Sequence, residues 1–268
     1  MDHALLLERW TSGPTPPAGL IYVRTYGAIF DADALFAELR YLAPDALLVD
    51  DRCACPPSFD ANTLCNSVDA VLYSSGYGKY ADIGYGGYAF ISNGSHYRRA
   101  DLPFDKNSLQ LQTSRCNSAI LHQTKFHYAD NAWLDFSAPL TDWDEYQKKV
   151  EHQSGKASMV KKSINRIYTD TLPRCLQLPP YFQSWRFNIR VADKPGLLSA
   201  ITNAGLFASG HYPNLNGLFG TGSGKHARRA HDSIINLFND SYFNEEKALA
   251  ISKVIVNFNP LAPSALNS

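Results

Sequence analysis

The sequence brings three kinds of reactive side chain, a carboxylate, a hydroxyl and an amine, to the ends of predicted neighbouring strands. Asp50 and Asp51 follow the apolar run ALLV, and Ser74 follows the run AVLY. Lys79 lies further along, in a stretch of glycines and tyrosines, SSGYGKYADIGYGG (74–87). Because ligands of open α/β sheets bind outside the carboxyl ends of the strands, we expect these side chains to share one edge.

A phosphate-binding P-loop is the first interpretation to test for a glycine-rich stretch that contains a lysine. That loop needs the pattern G-x-x-x-x-G-K-[ST], because its backbone amides cradle phosphates and its hydroxyl holds magnesium. Here Tyr73 stands where the first glycine belongs, and Tyr80 follows the lysine. The later stretch GTGSGKH (220–226) fails the same test at Phe219 and His226. Neither stretch is expected to bind a nucleotide.

Pyridoxal phosphate is a cofactor that needs the three residue types together. It requires a lysine for a Schiff base, a carboxylate that keeps its pyridine nitrogen protonated, and hydroxyl or amide donors for its phosphate. Lys79, Asp51 and Ser74 match these roles. Each also has an ordinary structural interpretation, as a solvated loop lysine, a turn or helix-capping aspartate and an N-capping serine. Their joint placement is what favours the cofactor.

The predicted elements explain how these residues could be positioned. GLIYV (19–23) is a short β-rich run, Asp31 can cap a helix with one apolar face, and ALLV (46–49) is a second strand. This order predicts a βαβ unit, whose crossover is right-handed and whose strands are parallel. AVLY (70–73) and GYAFIS (87–92) supply a third and a fourth strand. The first third of the chain is therefore predicted to form an α/β sheet.

The chain after residue 92 is predicted to contain long loops, several helices and a single strand. Residues 93–140 carry polar and turn residues with little periodicity, which predicts long surface loops. The segment from Thr141 to Pro173 is predicted to be a long connecting helix, with Gly155 as its weak point. RFNIRVAD (186–193) alternates as a half-buried strand. Three helices are predicted after it, in LLSAITNAGLF, HARRAHDSIINLF and NEEKALAISKVI.

These elements predict two domains. Residues 1–140 would form the domain that carries the sheet, which is mostly parallel with flanking helices. Residues 141–268 would form the connecting helix and a small α+β domain. The fold class is therefore α/β, with the sheet of the first domain carrying the candidate site.

Composition narrows the possible partners. The 268 residues are 45% hydrophobic, and Lys plus Arg equals Asp plus Glu at 25 each. Such a balance gives no overall field that would recruit nucleic acid or an anionic membrane, so we expect a small-molecule partner. No apolar run reaches a membrane-spanning length and no secretory signal is recognisable, which predicts a cytoplasmic protein. The five cysteines lack zinc-site spacing and are interpreted as buried thiols, and no metal is expected.

Two stretches together resemble a known family. VRTYGAIFDADALFAELRYLAPDALLVDDRCACPPSF followed by DAVLYSSGYGKYADIGYGGYAFI is similar to the centre of the DegT/StrS (DegT/DnrJ/EryC-type) aminotransferases. That family has a V-H-x-x-G strand end, an E-D pair and S-x-x-x-x-K before a G-x-G-G turn, in this order. The segments ITNAGLFASGHYPNLNG and RRAHDSIINLFND resemble later parts of the family, so the likeness covers most of residues 19–257.

The resemblance implies a fold type I pyridoxal phosphate enzyme that transfers an amino group from an amino donor to a keto acceptor, mostly a nucleotide-linked keto sugar. By this resemblance, Lys79 would be the Schiff-base lysine and proton shuttle, Asp51 would pair with the pyridine nitrogen, and Ser74 would bind the phosphate. His211 and Tyr212 would lie near the substrate entrance, although a core or surface role suits them equally. The family also implies a homodimer. The identity of donor and acceptor does not follow from the sequence.

The departures from the family pattern keep two other hypotheses open. Arg24 stands where the family has histidine, and Ala54 replaces a residue that flanks the cofactor ring. Family members also have a half-domain before the V-H-x-x-G strand, whereas 18 residues precede GLIYV here, so we expect that half to be absent. The chain could then be a non-catalytic subunit that binds a partner chain. It could also be an α/β binding protein without a cofactor, in which case the placement of the three residues would be coincidental.

Overall fold

The computed structural model describes residues 3–15, 17–60, 65–93, 103–129, 132–133, 142–210, 213–219 and 224–258. The chain divides into two compact units, each built from three segments. Unit 1 comprises 1–97, 141–163 and 179–186, and unit 2 comprises 98–140, 164–178 and 187–268. The segments of the two units alternate along the chain. The predicted division at residue 140 stays a prediction.

Unit 1 is organised around a four-stranded sheet whose strands lie in chain order. They are β1 (Gly19–Val23), β2 (Leu47–Asp51), β3 (Ala70–Ser74) and β4 (Gly87–Ile91). β1, β2 and β3 are parallel, and β4 is antiparallel to β3. The predicted strands and the α/β class are confirmed.

Two helices, α1 (His3–Thr11) and α2 (Asp33–Leu42), cover one face of this sheet. The predicted capping of α2 by Asp31 is wrong, because the N-cap residue is Ala32 and no side chain caps the helix. Asp31 lies one residue earlier and accepts a hydrogen bond from the backbone N–H of Asp33 at 2.9 Å. Alternate strand residues point to this face and are buried with the two helices. The core there consists chiefly of Trp10, Tyr22, Phe36, Leu39, Leu48, Val71 and Tyr73.

The opposite face of the sheet is much more open. Ile21 is 64% exposed, Val23 49% and Leu47 57%. Parallel strands are normally covered on both faces, so this apolar surface is unusual for the architecture.

Unit 2 contains a small antiparallel sheet of order β5-β7-β6. Its strands are β5 (Phe187–Arg190), β6 (Ala208–Ser209) and β7 (Ile234–Leu237). The helices are α3 (Lys106–His122), α5 (Lys194–Asn203), α6 (Lys225–Ser233) and α7 (Glu245–Asn257). The long helix α4 (Trp143–Thr171) has its first part in unit 1 and its last turns in unit 2.

Two predictions about this part of the chain are wrong. The region 93–140 was expected to consist of loops, yet it contains α3, a helix of 17 residues. Asp105 caps this helix by accepting hydrogen bonds from the backbone N–H groups of Asn107 and Ser108. The helix has few apolar residues in a weak pattern, so periodicity did not reveal it.

The second error concerns HARRAHDSIINLF, which was expected to be one helix. The helix ends at Ser233, and Ile234–Leu237 form the central strand of the small sheet. All four strand residues are buried, and β5 and β6 pair with them on both sides. A short apolar run does not distinguish a buried strand from a helix, and the pairing partners decided it.

Candidate functional site

Asp51 and Ser74 occupy the carboxyl ends of neighbouring parallel strands. Asp51 of β2 is in register with Leu72 of β3, and Ser74 lies two residues further along. Neighbouring strands lie about 4.8 Å apart and two residues span about 6.6 Å along a strand, which places these two Cα atoms about 8 Å apart. Since strand residues alternate between faces, both side chains belong to the open face of the sheet, away from α1 and α2.

The carboxylate of Asp50 does not lie on the open face, because it points to the side of the sheet that α1 and α2 cover. It is 1% exposed and accepts hydrogen bonds from Nε and Nη2 of Arg24 at 2.8 and 2.9 Å. Arg52 Nε donates to the same carboxylate at 2.8 Å. Of the predicted acidic pair, only Asp51 is available to a ligand at the strand ends.

Arg24, which stands where the family pattern has histidine, is therefore a structural residue. Its guanidinium is 3% exposed, donates to the carbonyl oxygen of Phe30 at 2.7 Å, and lies against the rings of Tyr22 and Phe30. The buried ion pair of Arg24 with Asp50 links the residue after β1 to β2.

Lys79 lies in a turn that Asp82 organises. The two carboxylate oxygens of Asp82 accept hydrogen bonds from the backbone N–H groups of Gly78 and Gly84, at 2.7 and 2.8 Å. Gly78 and Gly84 have φ values of +72° and +85°, a backbone region that favours glycine. The Lys79 N–H donates to the carbonyl oxygen of Gly76 at 3.2 Å. The turn thus folds directly after Ser74 and holds Lys79 half-buried.

The thiol of Cys53 interacts electrostatically with both the Asp51 carboxylate and the Lys79 amine. The backbone N–H of Cys53 donates to Asp51 Oδ1 at 2.9 Å. Burial, and then the hydrogen bond and negative charge of Asp51, raise the pKa of the Cys53 thiol to about 12, while the positive charge of Lys79 opposes this shift. Both charged groups therefore lie near one thiol, and the structure brings Asp51, Ser74 and Lys79 to the same edge of the sheet.

Ser75 differs from its neighbour Ser74 in a way that the sequence did not reveal. It is 1% exposed, donates to the carbonyl oxygen of Tyr85 at 2.7 Å, and is hydrogen-bonded to the hydroxyl of Tyr146 at 2.5 Å. Among the described residues, Ser74 Oγ has one hydrogen bond, which it accepts from the N–H of Gly76 at 3.4 Å. Strand alternation distinguishes the two serines: the Ser75 hydroxyl is buried and hydrogen-bonded, whereas Ser74 belongs to the open face.

His211 and Tyr212 lie outside the described residues. Gly210, immediately before them, is described, and its carbonyl oxygen accepts a hydrogen bond from Lys194 Nζ at 3.2 Å. The same ammonium donates to the carbonyl oxygen of His231, and burial lowers the pKa of Lys194. The roles predicted for His211 and Tyr212 stay predictions.

Within the described ranges, no group of three His, Cys, Asp or Glu side chains could hold a metal ion. No helix in the part of the chain that is described combines the length and apolarity needed to cross a membrane. The cysteines differ in exposure: Cys55 is buried, but Cys175 is exposed, which corrects the interpretation of all five as buried thiols.

The chemistry of the three side chains fits pyridoxal phosphate. Among the described residues, none accepts a hydrogen bond from the Lys79 amine, and none forms an ion pair with Asp51. Ser74 retains a hydroxyl proton to donate. A carboxylate and a hydroxyl on the open face, with an amine in the turn that follows, are the groups that this cofactor needs.

Solved structures with the same fold are sugar aminotransferases and related enzymes. A DegT DnrJ EryC1 StrS aminotransferase from Brucella abortus matches 96% of this chain and 70% of its own, with TM-score 0.62 and 15% identity. Spr1654 from Streptococcus pneumoniae, in its PMP form, matches 97% and 74%, with TM-score 0.60 and 17% identity. The sugar aminotransferase CalS13 from Micromonospora echinospora matches 90% and 67%, with TM-score 0.54 and 13% identity.

No protein-family model and no curated protein matches the sequence. At identities below 20% the structural likeness concerns the fold, which it covers almost from end to end. The chain has the fold of the DegT/DnrJ/EryC1/StrS aminotransferases.

Proposed function

We propose that this chain binds pyridoxal phosphate through Lys79 and transfers an amino group from an amino donor to a keto substrate. The observation that carries the proposal is the placement of Asp51 and Ser74 on one open face, with the Lys79 turn directly after Ser74. The fold of the similar structures supports it, and so does the PMP form of Spr1654.

Each residue has a distinct task in this proposal. The Lys79 amine would hold the cofactor covalently; once the donor's amine displaces it, it would take the proton from the donor's α-carbon and deliver it to the cofactor. Asp51 keeps a proton on the ring nitrogen by its negative charge, and Ser74 donates its hydroxyl to the phosphate. The bound cofactor supplies the electron sink that makes removal of the α-proton feasible.

A nucleotide-linked keto sugar is the proposed acceptor, and a homodimer is the proposed assembly. Support for the sugar comes from the fold shared with CalS13, a sugar aminotransferase. The chain's His211 and Tyr212 are proposed to lie near the substrate entrance, as the family resemblance implies. Turnover of candidate sugars and sedimentation of the purified protein would test these two points separately.

The central test is a cofactor titration of the purified chain. Pyridoxal phosphate should produce a visible absorption band, and borohydride should fix the cofactor on the peptide that contains Lys79. Lys79→Ala should abolish both signals, whereas Lys162→Ala, an exposed lysine on α4, should leave both unchanged. A wild-type chain without the band, or labelling at another lysine, would refute the proposal.

The open face of the sheet supports a second candidate function, that of a subunit that binds another polypeptide. Ile21, Val23 and Leu47 form an exposed apolar surface on β1 and β2. Exposed apolar surface of this kind, at a sheet edge, is typical of protein interfaces. The similar structures are longer, since the matched part is about 70% of the first of them.

Light scattering and cofactor titration together separate this candidate from the aminotransferase. If the surface binds a second copy of this chain and the chain is not an enzyme, the wild type should form dimers or larger species, Leu47→Lys should reduce them, and pyridoxal phosphate should produce no absorption band. Tyr41→Lys, at a side chain that is 85% exposed on α2, is the control and should change nothing. A monomeric wild type with an unchanged variant would count against the subunit role.

A further inference from the structure

The two residues that flank Lys79 are each held by a side chain from a distant part of unit 1. The indole N–H of Trp185 donates to the carbonyl oxygen of Gly78 at 2.8 Å, across 107 residues of sequence. The ammonium of Lys161 on α4 lies over the ring of Tyr80, 5.2 Å from its centroid. Lys79 lies between these two contacts.

The two side chains are also connected to each other. Lys161 Nζ donates to the backbone carbonyl oxygen of Trp185 at 2.8 Å, and both residues are buried, at 4% and 9% exposure. One buried ammonium therefore contacts the partner of Gly78 and the ring of Tyr80 at once. A hydrogen bond and a cation–π contact in a buried setting are each strong enough to restrict a loop.

The segment that carries Trp185 is itself fixed to the loop after β1. Ser184 Oγ donates to the carbonyl oxygen of Gly27 at 2.5 Å, and the Ile29 N–H donates to the carbonyl oxygen of Tyr181 at 3.2 Å. Residues 179–186 thus link two separate loops at the carboxyl ends of the strands. This gives the Lys79 turn a rigid support that its own sequence lacks.

The turn needs such support because of its glycines. Gly76, Gly78 and Gly84 allow many backbone conformations, and nothing would contact a Cβ atom at Gly78 or Gly84 within 4 Å. A reactive amine must be held within about 0.5 Å of its productive position by neighbours with fixed geometry. Asp82 supplies part of this restraint from within the turn.

We propose that Trp185 and Lys161 are positioning residues that fix the backbone on both sides of Lys79 and so aim its amine. The inference rests on the proposed cofactor role of Lys79, but the restraint itself exists without any cofactor. Trp185 and Lys161 act on the position of the Lys79 amine through their contacts with Gly78 and Tyr80.

The first experiment needs no cofactor. Hydrogen exchange of the amides of residues 77–80, and trypsin cleavage after Lys79, are measured in Trp185→Phe and Lys161→Met. Both rates should rise about tenfold, the effect of losing one buried hydrogen bond. Trp143→Phe and Lys162→Met, at exposed positions of α4, should leave both rates unchanged. Exchange in β3 serves as the measure of global stability, so that a general loss of structure is recognised.

The second experiment uses the cofactor. Borohydride trapping on Lys79 at saturating pyridoxal phosphate should be about tenfold slower in Lys161→Met and should recover in Lys161→Arg, which restores the charge and a donor. Wild-type exchange and cleavage rates in Trp185→Phe and Lys161→Met would overturn the positioning role. Absence of the band in the wild type would instead overturn the proposed function, while the exchange rates would still decide whether the turn is held as described.

Discussion

Arg24 and Asp50, which are 26 residues apart in sequence, form a buried two-point ion pair between β1 and β2, with N–O distances of 2.8 and 2.9 Å. Both side chains are almost fully buried, at 3% and 1% exposure. Buried pairs of this geometry are costly to break, because the remaining partner is left charged in a poorly solvated environment. The pair fixes the ends of two strands and directs Asp51, the next residue, to the opposite face.

Replacing Arg24 by methionine should lower the free energy of unfolding by about 3 kcal/mol, since Asp50 would keep only Arg52. Urea unfolding measures the loss. Arg166→Met is the control, because Arg166 and Asp170 form an ion pair whose side chains are 84% and 65% exposed. Such exposed pairs contribute less than about 1 kcal/mol. Equal effects of the two substitutions would contradict the structural role of Arg24.

Alanine substitution should lower stability at Ser75 and weaken cofactor binding at Ser74. Ser75→Ala leaves the buried hydroxyl of Tyr146 without its partner at 2.5 Å, and should cost about 1–3 kcal/mol of stability. Ser74→Ala removes only a 3.4 Å contact and should leave stability nearly unchanged while weakening pyridoxal phosphate binding. Urea unfolding and cofactor titration separate the two effects. A Ser74 variant with wild-type cofactor affinity would remove this serine from the proposed site.

Gly155 offers a stabilising substitution. It lies within α4, and a Cβ atom at this position would meet nothing within 4 Å. Gly155→Ala should therefore raise the free energy of unfolding by about 0.5–1 kcal/mol, because alanine loses less conformational freedom than glycine in a helix. Thermal unfolding provides the measurement.

Gly86→Ala is the matched contrast to this substitution. Gly86 has a φ of +84°, and its Cβ would lie 2.9 Å from a ring carbon of Tyr146. The variant should lose about 1–3 kcal/mol through backbone strain and crowding. A Gly86 variant as stable as the wild type would show that the turn after β3 can rearrange.

Stability should fall as the pH rises above 9. Burial is the first cause that raises the pKa of the Cys53 and Cys55 thiols from 9.0 to about 12. The unfolded chain releases these protons near pH 9 and the folded chain does not, so the folded state loses stability between about pH 9 and 12. Below pH 9 the contribution is fully present.

Urea unfolding at pH 8 and pH 10 measures this effect. A Cys53→Ala/Cys55→Ala variant should lose less stability over that interval than the wild type. The limit of pH 10 keeps the buried tyrosines, whose unfolded pKa is 10.0, from dominating. Identical pH slopes in the two proteins would show that these thiols titrate normally in the folded chain.

Much of unit 1 could be predicted from local sequence. The four strands of the sheet are short apolar runs, and β2, β3 and β4 end in or are followed by an acid or a serine. Their order with the intervening helix α2 predicted parallel pairing for β1 and β2. In unit 2, by contrast, α3 and β7 lack a clear pattern of their own. Their structure depends on a capping side chain and on two flanking strands, respectively.

Part of the candidate site was likewise predictable from local sequence, and part depended on the tertiary structure. The sequence by itself determined that Asp51, Ser74 and Lys79 come at strand ends and in the turn that follows, because strands and tight turns are set by neighbouring residues. Only the tertiary structure decided that Asp50 forms a buried ion pair with Arg24, because the burial of this pair depends on which face of the sheet α1 and α2 cover. It also decided that Trp185 and Lys161 hold the turn. Contacts across more than 80 residues arise from the packing of the whole unit, and no local pattern encodes them.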